Sequence, residues 1–301
     1  MTHPSPVPSS LQRFDRITAY FYAICSTVFV GGLYVDGWSH QYLFDQIDSF
    51  FNPWHAVLYA GYAATTITLL IWTHLRRTPG QRYRDAIPRG HGASHAGALL
   101  FLLGGIMDML WHQTFGFEKG IEGLISPSHL ILALGMILML TGNIRHWFAV
   151  HERSERTGLL ESLPLLLGIL TVLAQWTFLS QYARYTDFNA TGPNPEDPTF
   201  ILCTQSISFL GILLFSVMFS GLFAFVIQRA RLPYGSVTFV LTLQVLMLGT
   251  MRFGSEHIIA AFGAGLIGDL LVQYASPHRN IRALLVFCAI VPAVFYAGVF
   301  L

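Results

Sequence analysis

Two short stretches of this chain place carboxylates and imidazoles where they can share one atom. Residues 31–41 read GGLYVDGWSHQ and residues 104–113 read GGIMDMLWHQ. Each holds Asp-x-x-x-His, passes through a loop with acidic residues, and returns through a proline closely followed by histidine. The returning segments are Asn52-Pro53-Trp54-His55 and Ser126-Pro127-Ser128-His129. The candidate ligand sets are therefore Asp36, His40 and His55, and Asp108, His112 and His129. Residues four apart on a helix lie one turn above each other on one face, so Asp and His can converge. Proline suits the first turn of the returning helix, where its missing N–H costs nothing. The histidine behind it then faces back toward the Asp-x-x-x-His helix. Two imidazoles and one carboxylate, with positions left open, suit copper, iron or zinc and argue against magnesium or calcium. The offset between copies is 72 residues for Asp and the first His and 74 for the second His. That spacing fits a duplicated αα-hairpin.

The elements that must hold these groups are membrane helices. Of 301 residues, 53% are hydrophobic and only 11% charged, with mean hydropathy +0.53, whereas soluble domains carry about a quarter charged residues. This excludes a soluble globular enzyme and a disordered protein. A net charge of +1 leaves no basic face to neutralise phosphates, which excludes a nucleic-acid binder. Cys25, Cys203 and Cys288 lie in apolar stretches without metal-ligand spacing and read as small core hydrophobes. The expected fold is all-α, a polytopic transmembrane bundle with an internal αα-hairpin repeat. A span needs about 20 mostly apolar residues. Candidates are 17–35, 55–74, 93–112, 127–146, 159–181, 200–227, 235–252, 256–273 and 282–300, about nine in all, or eight if the last three resolve differently. The first follows a Pro/Ser-rich stretch and has no small-residue cleavage site, so it reads as a retained span. The expected organisation is a leader at 1–16, duplicated hairpins with the metal sites at 17–150, and remaining helices at 151–301.

Lys and Arg placement sets the expected orientation. Fourteen of the seventeen, including Arg13, Arg16, Arg76, Arg77, Arg145, Arg229 and Arg282, fall on one side of a nine-span arrangement. Only Lys119, Arg184 and Arg252 fall on the other. The N-terminus is thus expected in the cytoplasm and both triplets near the outer face.

The second copy, DMLWHQTFGFEKGIEGLISPSHL, resembles the C subunit of the copper membrane monooxygenases, the particulate methane and ammonia monooxygenases. That family carries Asp-x-x-x-His-Gln-Thr followed by Thr-Pro-Ser-His at the start of the next helix. Asp108, His112, Gln113, Thr114, Pro127, Ser128 and His129 match, with Ser126 in place of Thr. The resemblance implies copper bound by Asp108, His112 and His129. The family's second site uses Asn-x-x-x-His and a later Pro-x-His; Asp36, His40, Pro53 and His55 are similar, with Asp replacing Asn. The two motifs run in the opposite order here, and the likeness covers these two windows only.

Other polar groups read differently. Glu118 and Glu122 could orient an imidazole, yet they and Asp45 and Asp48 read more readily as solvated loop residues. His74, His91, His95, His146 and His151 read as interfacial groups beside Arg-rich loops. Arg252, Glu256 and His257 could supply protons or form an ordinary ion pair. Asp269, Gln273 and His278 read as structural. Trp38, Trp54 and Trp111 fit an interfacial aromatic belt.

The leading functional expectation is a membrane-embedded, metal-dependent oxidoreductase, monooxygenase-like, that activates O₂ to oxidise a small apolar substrate arriving through the bilayer. Asp108, His112 and His129 would hold copper, with iron or zinc as alternatives. Electrons would come from a quinol or a partner subunit. The alternatives are a copper or zinc binding or transport protein at the outer face, and a zinc-dependent membrane hydrolase with Glu118 or Glu122 as base. A bis-His haem protein would leave both aspartates unexplained.

Overall fold

The computed structural model describes residues 9–43, 49–116, 122–153, 155–183, 198–249, 255–275, 277–278 and 280–301. The side chains of 9, 10, 122, 123, 198–201, 255 and 256 are not among those described. The chain is an all-helical integral membrane protein. Its helices are α1 (Ser9–Tyr42), α2 (Pro53–Arg76), α3 (Tyr83–Ala86), α4 (Gly92–Phe115), α5 (Glu122–Ile125), α6 (Pro127–Val150), α7 (Leu163–Leu179), α8 (Pro198–Ile227), α9 (Ser236–Gly249), α10 (Ser255–Tyr274) and α11 (Ile281–Phe300). Among the described residues, seven helices are long and apolar enough to cross a bilayer: α1, α2, α4, α6, α8, α10 and α11. The other two expected spans are apolar helices of 17 residues (α7) and 14 residues (α9). Pro164 near the N-terminus of α7 fixes its start at Leu163, so residues 159–162 of the expected span form turns. In α9 the described helix stops at Gly249, and residues 250–252 of the expected span lie outside the described residues.

The chain divides into two compact units. The first contains α1, α2, α3, α4, α6 and the first half of α7. It is built from two hairpins, α1 against α2 and α4 against α6. The helix α1 starts at Ser9, so residues 9–16 of the expected leader are already helical. There Asp15 accepts the Trp72 indole N–H at 2.8 Å and pairs with Arg76, tying the foot of α1 to α2.

The hairpins repeat in their packing as well as in their polar ends. A Cβ on Gly32 would stand 2.8 Å from Leu58 Cα, and one on Gly104 would stand 3.1 Å from the Leu132 backbone nitrogen. Gly61 lies against Phe29, and Gly135 against Phe101, in the same manner. Gly104, Phe101, Leu132 and Gly135 follow their counterparts by the same 72 and 74 residues that separate the ligand sets. Small residues let helix backbones approach closely where lipid offers no hydrophobic drive to association. Each hairpin is therefore drawn together one turn below its polar end.

The second unit holds the rest of α7 and α8–α11. Asp269 on α10 accepts the Val237 and Thr238 N–H groups and the Thr238 hydroxyl, capping the first turn of α9 from outside. Gln273 donates to the Leu232 carbonyl. These bonds give Asp269 and Gln273 structural roles.

Candidate metal centre

Each returning helix begins with the same device. Asn52 and Ser126 are N-caps, Pro53 and Pro127 occupy the first helical position, and the histidine falls at the third. In a capping box the third residue's side chain reaches back to the cap. Here an imidazole does so: His55 Nδ1 lies 2.6 Å from Asn52 Nδ2, and His129 Nδ1 lies 2.7 Å from Ser126 Oγ. Both rings are thereby turned so that Nε2 faces the preceding helix.

The structure brings both ligand sets together. Asp36, His40 and His55 offer ligand atoms that all lie within 4.8 Å of one another, and so do Asp108, His112 and His129. In the second set, Asp108 Oδ1 stands 3.5 Å from His112 Nε2 and 3.4 Å from His129 Nε2. Ligands on bonds of 2.0–2.1 Å at tetrahedral angles stand about 3.3–3.4 Å apart, so one transition-metal ion fits these spacings. Asp108 is 1% exposed, while the His129 side chain is 27% exposed and opens the set on one side. In the first set, His55 Nε2 lies 3.6 Å from Asp36 Oδ2. Asp36 Oδ1 is buried with no hydrogen-bond partner among the described residues.

The hydrogen bonds around the second set fix its tautomers. His112 Nδ1 faces the Gly116 carbonyl at 3.3 Å and must donate to it. Gly116 closes α4 with φ +79°, a conformation that favours glycine, and its own N–H returns to the His112 carbonyl. Ser128 donates to Asp108 Oδ1 at 2.8 Å. The Ser126–Ser128 contact of 3.2 Å must then run from Ser126 to Ser128. Ser126 Oγ is left to accept from His129 Nδ1. Both imidazoles, when neutral, therefore turn Nε2 lone pairs toward an aspartate oxygen, and three acceptors converge.

The first set has the opposite setting. Asn52 Oδ1 accepts the N–H groups of Trp54 and His55, at 3.0 and 2.9 Å. Its amide nitrogen must therefore face His55 Nδ1, and it donates there and to the Ser49 carbonyl. The neutral His55 ring carries its proton on Nε2, pointed toward Asp36. The two sets match in outline and differ in which atom holds the proton.

Aromatic side chains separate and floor the two sets. Phe50 stacks on His55 with ring centroids 4.9 Å apart and lies 6.3 Å from the His112 ring. Tyr59 packs beside Phe50 and against Gly105, where a Cβ would meet its hydroxyl at 2.8 Å. Deeper in the unit, Phe101 packs on Phe29 at 4.9 Å and on Tyr62 at 4.7 Å. Sequence reasoning passed over Phe50 and Tyr59, for which no local signal exists. The capping roles of Asn52 and Ser126 have a signal in the sequence, since an Asn or Ser directly before proline is a legible cap.

Other expected groups are placed as follows. Asp45, Asp48, Glu118 and Arg252, and the side chains of Glu122 and Glu256, lie outside the described residues. His257 is buried at the start of α10. His91 and His146 are buried inside the first unit, packed against Trp72, with Tyr22 against His91. They are buried groups, and His146 still meets the Arg89 carbonyl beside the Arg-rich loop at 2.7 Å. His95 is half-buried near the Thr73 hydroxyl. Trp38 packs on Trp54 at the polar end of the first hairpin.

Fold and site together define an integral membrane helical protein with a duplicated Asp/His/His hairpin. No protein family, curated protein or solved structure gives a significant match to the chain.

Proposed function

We propose that this protein is a membrane-embedded, transition-metal-dependent oxidoreductase whose metal centre is Asp108, His112 and His129. The observation that carries the reading is the convergence of two Nε2 lone pairs and a carboxylate oxygen at metal-ligand spacing in a buried setting. Three acceptors repel one another unless a cation lies among them, and the Gly116 carbonyl and Ser126 Oγ, by accepting the Nδ1 protons, keep both Nε2 lone pairs turned toward Asp108. The donor set suits copper, iron or zinc, and the resemblance of DMLWHQT and SPSH to copper membrane monooxygenases favours copper among them. Bound copper would supply one-electron chemistry toward O₂. The residues here would hold it, orient it through Ser126, Ser128 and Gly116, and leave access past the partly exposed His129. Asp36, His40 and His55 form a second, weaker position, because metal at His55 Nε2 requires its proton to move and the Asn52 amide to turn.

The packing of Phe29, Tyr62 and Phe101 favours this over transport. A cation moving deeper into the first unit from either set would meet aromatic rings where polar groups would be needed. The substrate proposed is small and apolar, taken from the bilayer, with electrons from a quinol or partner subunit. The Lys and Arg distribution supports a position of the sets near the outer face. The test is metal analysis and paramagnetic resonance on the purified protein. A type 2 Cu(II) signal that disappears in His112→Ala and His129→Ala supports the reading. Full metal content in both variants, or stoichiometric zinc alone in the wild type, overturns it.

A further inference from the structure

The second unit contains a cavity of about 360 Å³ whose polar lining is Arg156, Thr157, Arg231, Gln273 and His278. Arg156 and Arg231 are joined by an isolated parallel bridge, which sets their Cα atoms at about the 5 Å spacing of paired strands. Two cations held side by side oppose each other unless an anion lies between them. Neither arginine is paired with a carboxylate among the described residues. The nearest acidic neighbour in sequence, Glu155, accepts the Glu152 N–H at 3.2 Å and groups with His151 and Glu161.

The walls are fixed by bonds in which, among the described residues, neither guanidinium group takes part. Gln273 is spent on the Leu232 carbonyl at 2.9 Å, and Arg153 donates to the His278 carbonyl at 3.4 Å. The cavity also sits where apolar helices end. Ile227, the last residue of α8, and Val272, in the last turn of α10, both line it. Tyr234 and Tyr274 nearby in the chain are 52% and 83% exposed, as suits aromatic rings at headgroup level. Arginine forks match phosphate oxygens in pairs, and basic pockets at helix ends suit lipid headgroups.

We propose that this cavity binds the phosphate headgroup of an anionic phospholipid. The site is independent of the metal centre. The experiment uses the full chain purified in neutral detergent, with native mass spectrometry and thermal unfolding. It is titrated separately with phosphatidylglycerol, phosphatidylcholine and inorganic phosphate. Phosphatidylglycerol should bind one-to-one and raise the melting temperature, and phosphatidylcholine should do neither. The Arg156→Gln/Arg231→Gln pair should weaken phosphatidylglycerol binding at least tenfold while the lipid-free melting temperature holds. If that pair fails to fold, Arg156→Lys/Arg231→Lys should still show a several-fold loss, since ammonium groups lack the fork. Undiminished binding in the folded variants overturns the proposal. Equal binding of inorganic phosphate, with displacement of the lipid, overturns the lipid assignment in favour of a soluble anion.

Discussion

Asn52 donates its amide nitrogen to His55 Nδ1 at 2.6 Å, and the same side chain accepts two backbone N–H groups through its oxygen. One amide thus caps a helix and sets the tautomer of a potential ligand. The equivalent Ser126 caps its helix and sets the opposite tautomer on His129. Duplicated geometry has been given two proton settings by a single side-chain difference.

Asn52→Asp keeps a capping oxygen and replaces the amide donor with an acceptor. His55 should then carry its proton on Nδ1 and turn a lone pair toward Asp36. Groups that orient a ligand typically change affinity 10–100-fold, so metal binding at the first set should tighten within that range. Equilibrium dialysis at limiting free copper reads the change. An unaltered or weaker second equivalent would show that the tautomer does not limit this site.

Ser126→Ala removes the cap and the acceptor for His129 Nδ1 together. The loss of the cap should cost about 1 kcal/mol of stability, seen as a lower melting temperature. Copper affinity at the second set should fall 10–100-fold, with an altered Cu(II) resonance spectrum. Ser126→Thr keeps the hydroxyl and should restore both readouts. If alanine leaves the spectrum and affinity as they were, the serine relay plays no part in holding the metal.

Orientation is checked with single cysteines in a background lacking Cys25, Cys203 and Cys288. Ser49 precedes α2 and Thr78 follows it, and both are exposed. A cysteine at 49 should react with an impermeant thiol reagent added outside intact cells, and one at 78 should react only after permeabilisation. Reversed labelling would place both ligand sets at the cytoplasmic face.

His91 gives a pH dependence from the far end of the hairpins. Burial, then the neighbouring His146 and Arg145, hold its imidazole well below the usual histidine range. Tyr22 and Trp72 close the remaining sides, and His95 lies one turn along. A group whose folded pKa is depressed in this sense is neutral in both states above about pH 6.5. Below that value the unfolded chain takes up the proton first, so stability falls as pH falls, by up to about 1.4 kcal/mol per pH unit. Melting curves between pH 7.5 and 5 should show this slope in the wild type and a smaller one in His91→Gln. Equal slopes would assign the acid sensitivity elsewhere.

Much of the architecture was legible because a bilayer imposes length and hydropathy. The boundaries of α2, α4 and α6 follow from apolar runs bounded by proline, glycine and arginine. The ligand sets were legible because duplication makes a spacing visible twice. The opposed tautomers were not, since they depend on which backbone N–H groups occupy the Asn52 oxygen. The buried state of His91 and His146 was also hidden, because polarity in a sequence does not say which face of a helix carries it. The matching glycines stood at the repeat offset in the sequence, yet their meaning required seeing a neighbouring backbone against them.

Those glycines make each hairpin a jaw of fixed gape. Gly104 sits one turn below Asp108, and Leu132, which it touches, lies three residues after His129. The gap between the proposed ligands is thus set in part by a missing methyl group further down the same pair of helices. Gly104→Ala would press on Ile131 and Leu132 by a few tenths of an ångström, and to the extent that α6 yields it would draw His129 away from Asp108 without touching either. A wider bite favours larger, oxygen-preferring ions at longer bonds over the short bonds of copper and zinc. Under the proposed metal binding, ion size would therefore be gauged from the middle of the helix pair, away from the residues that would meet the ion.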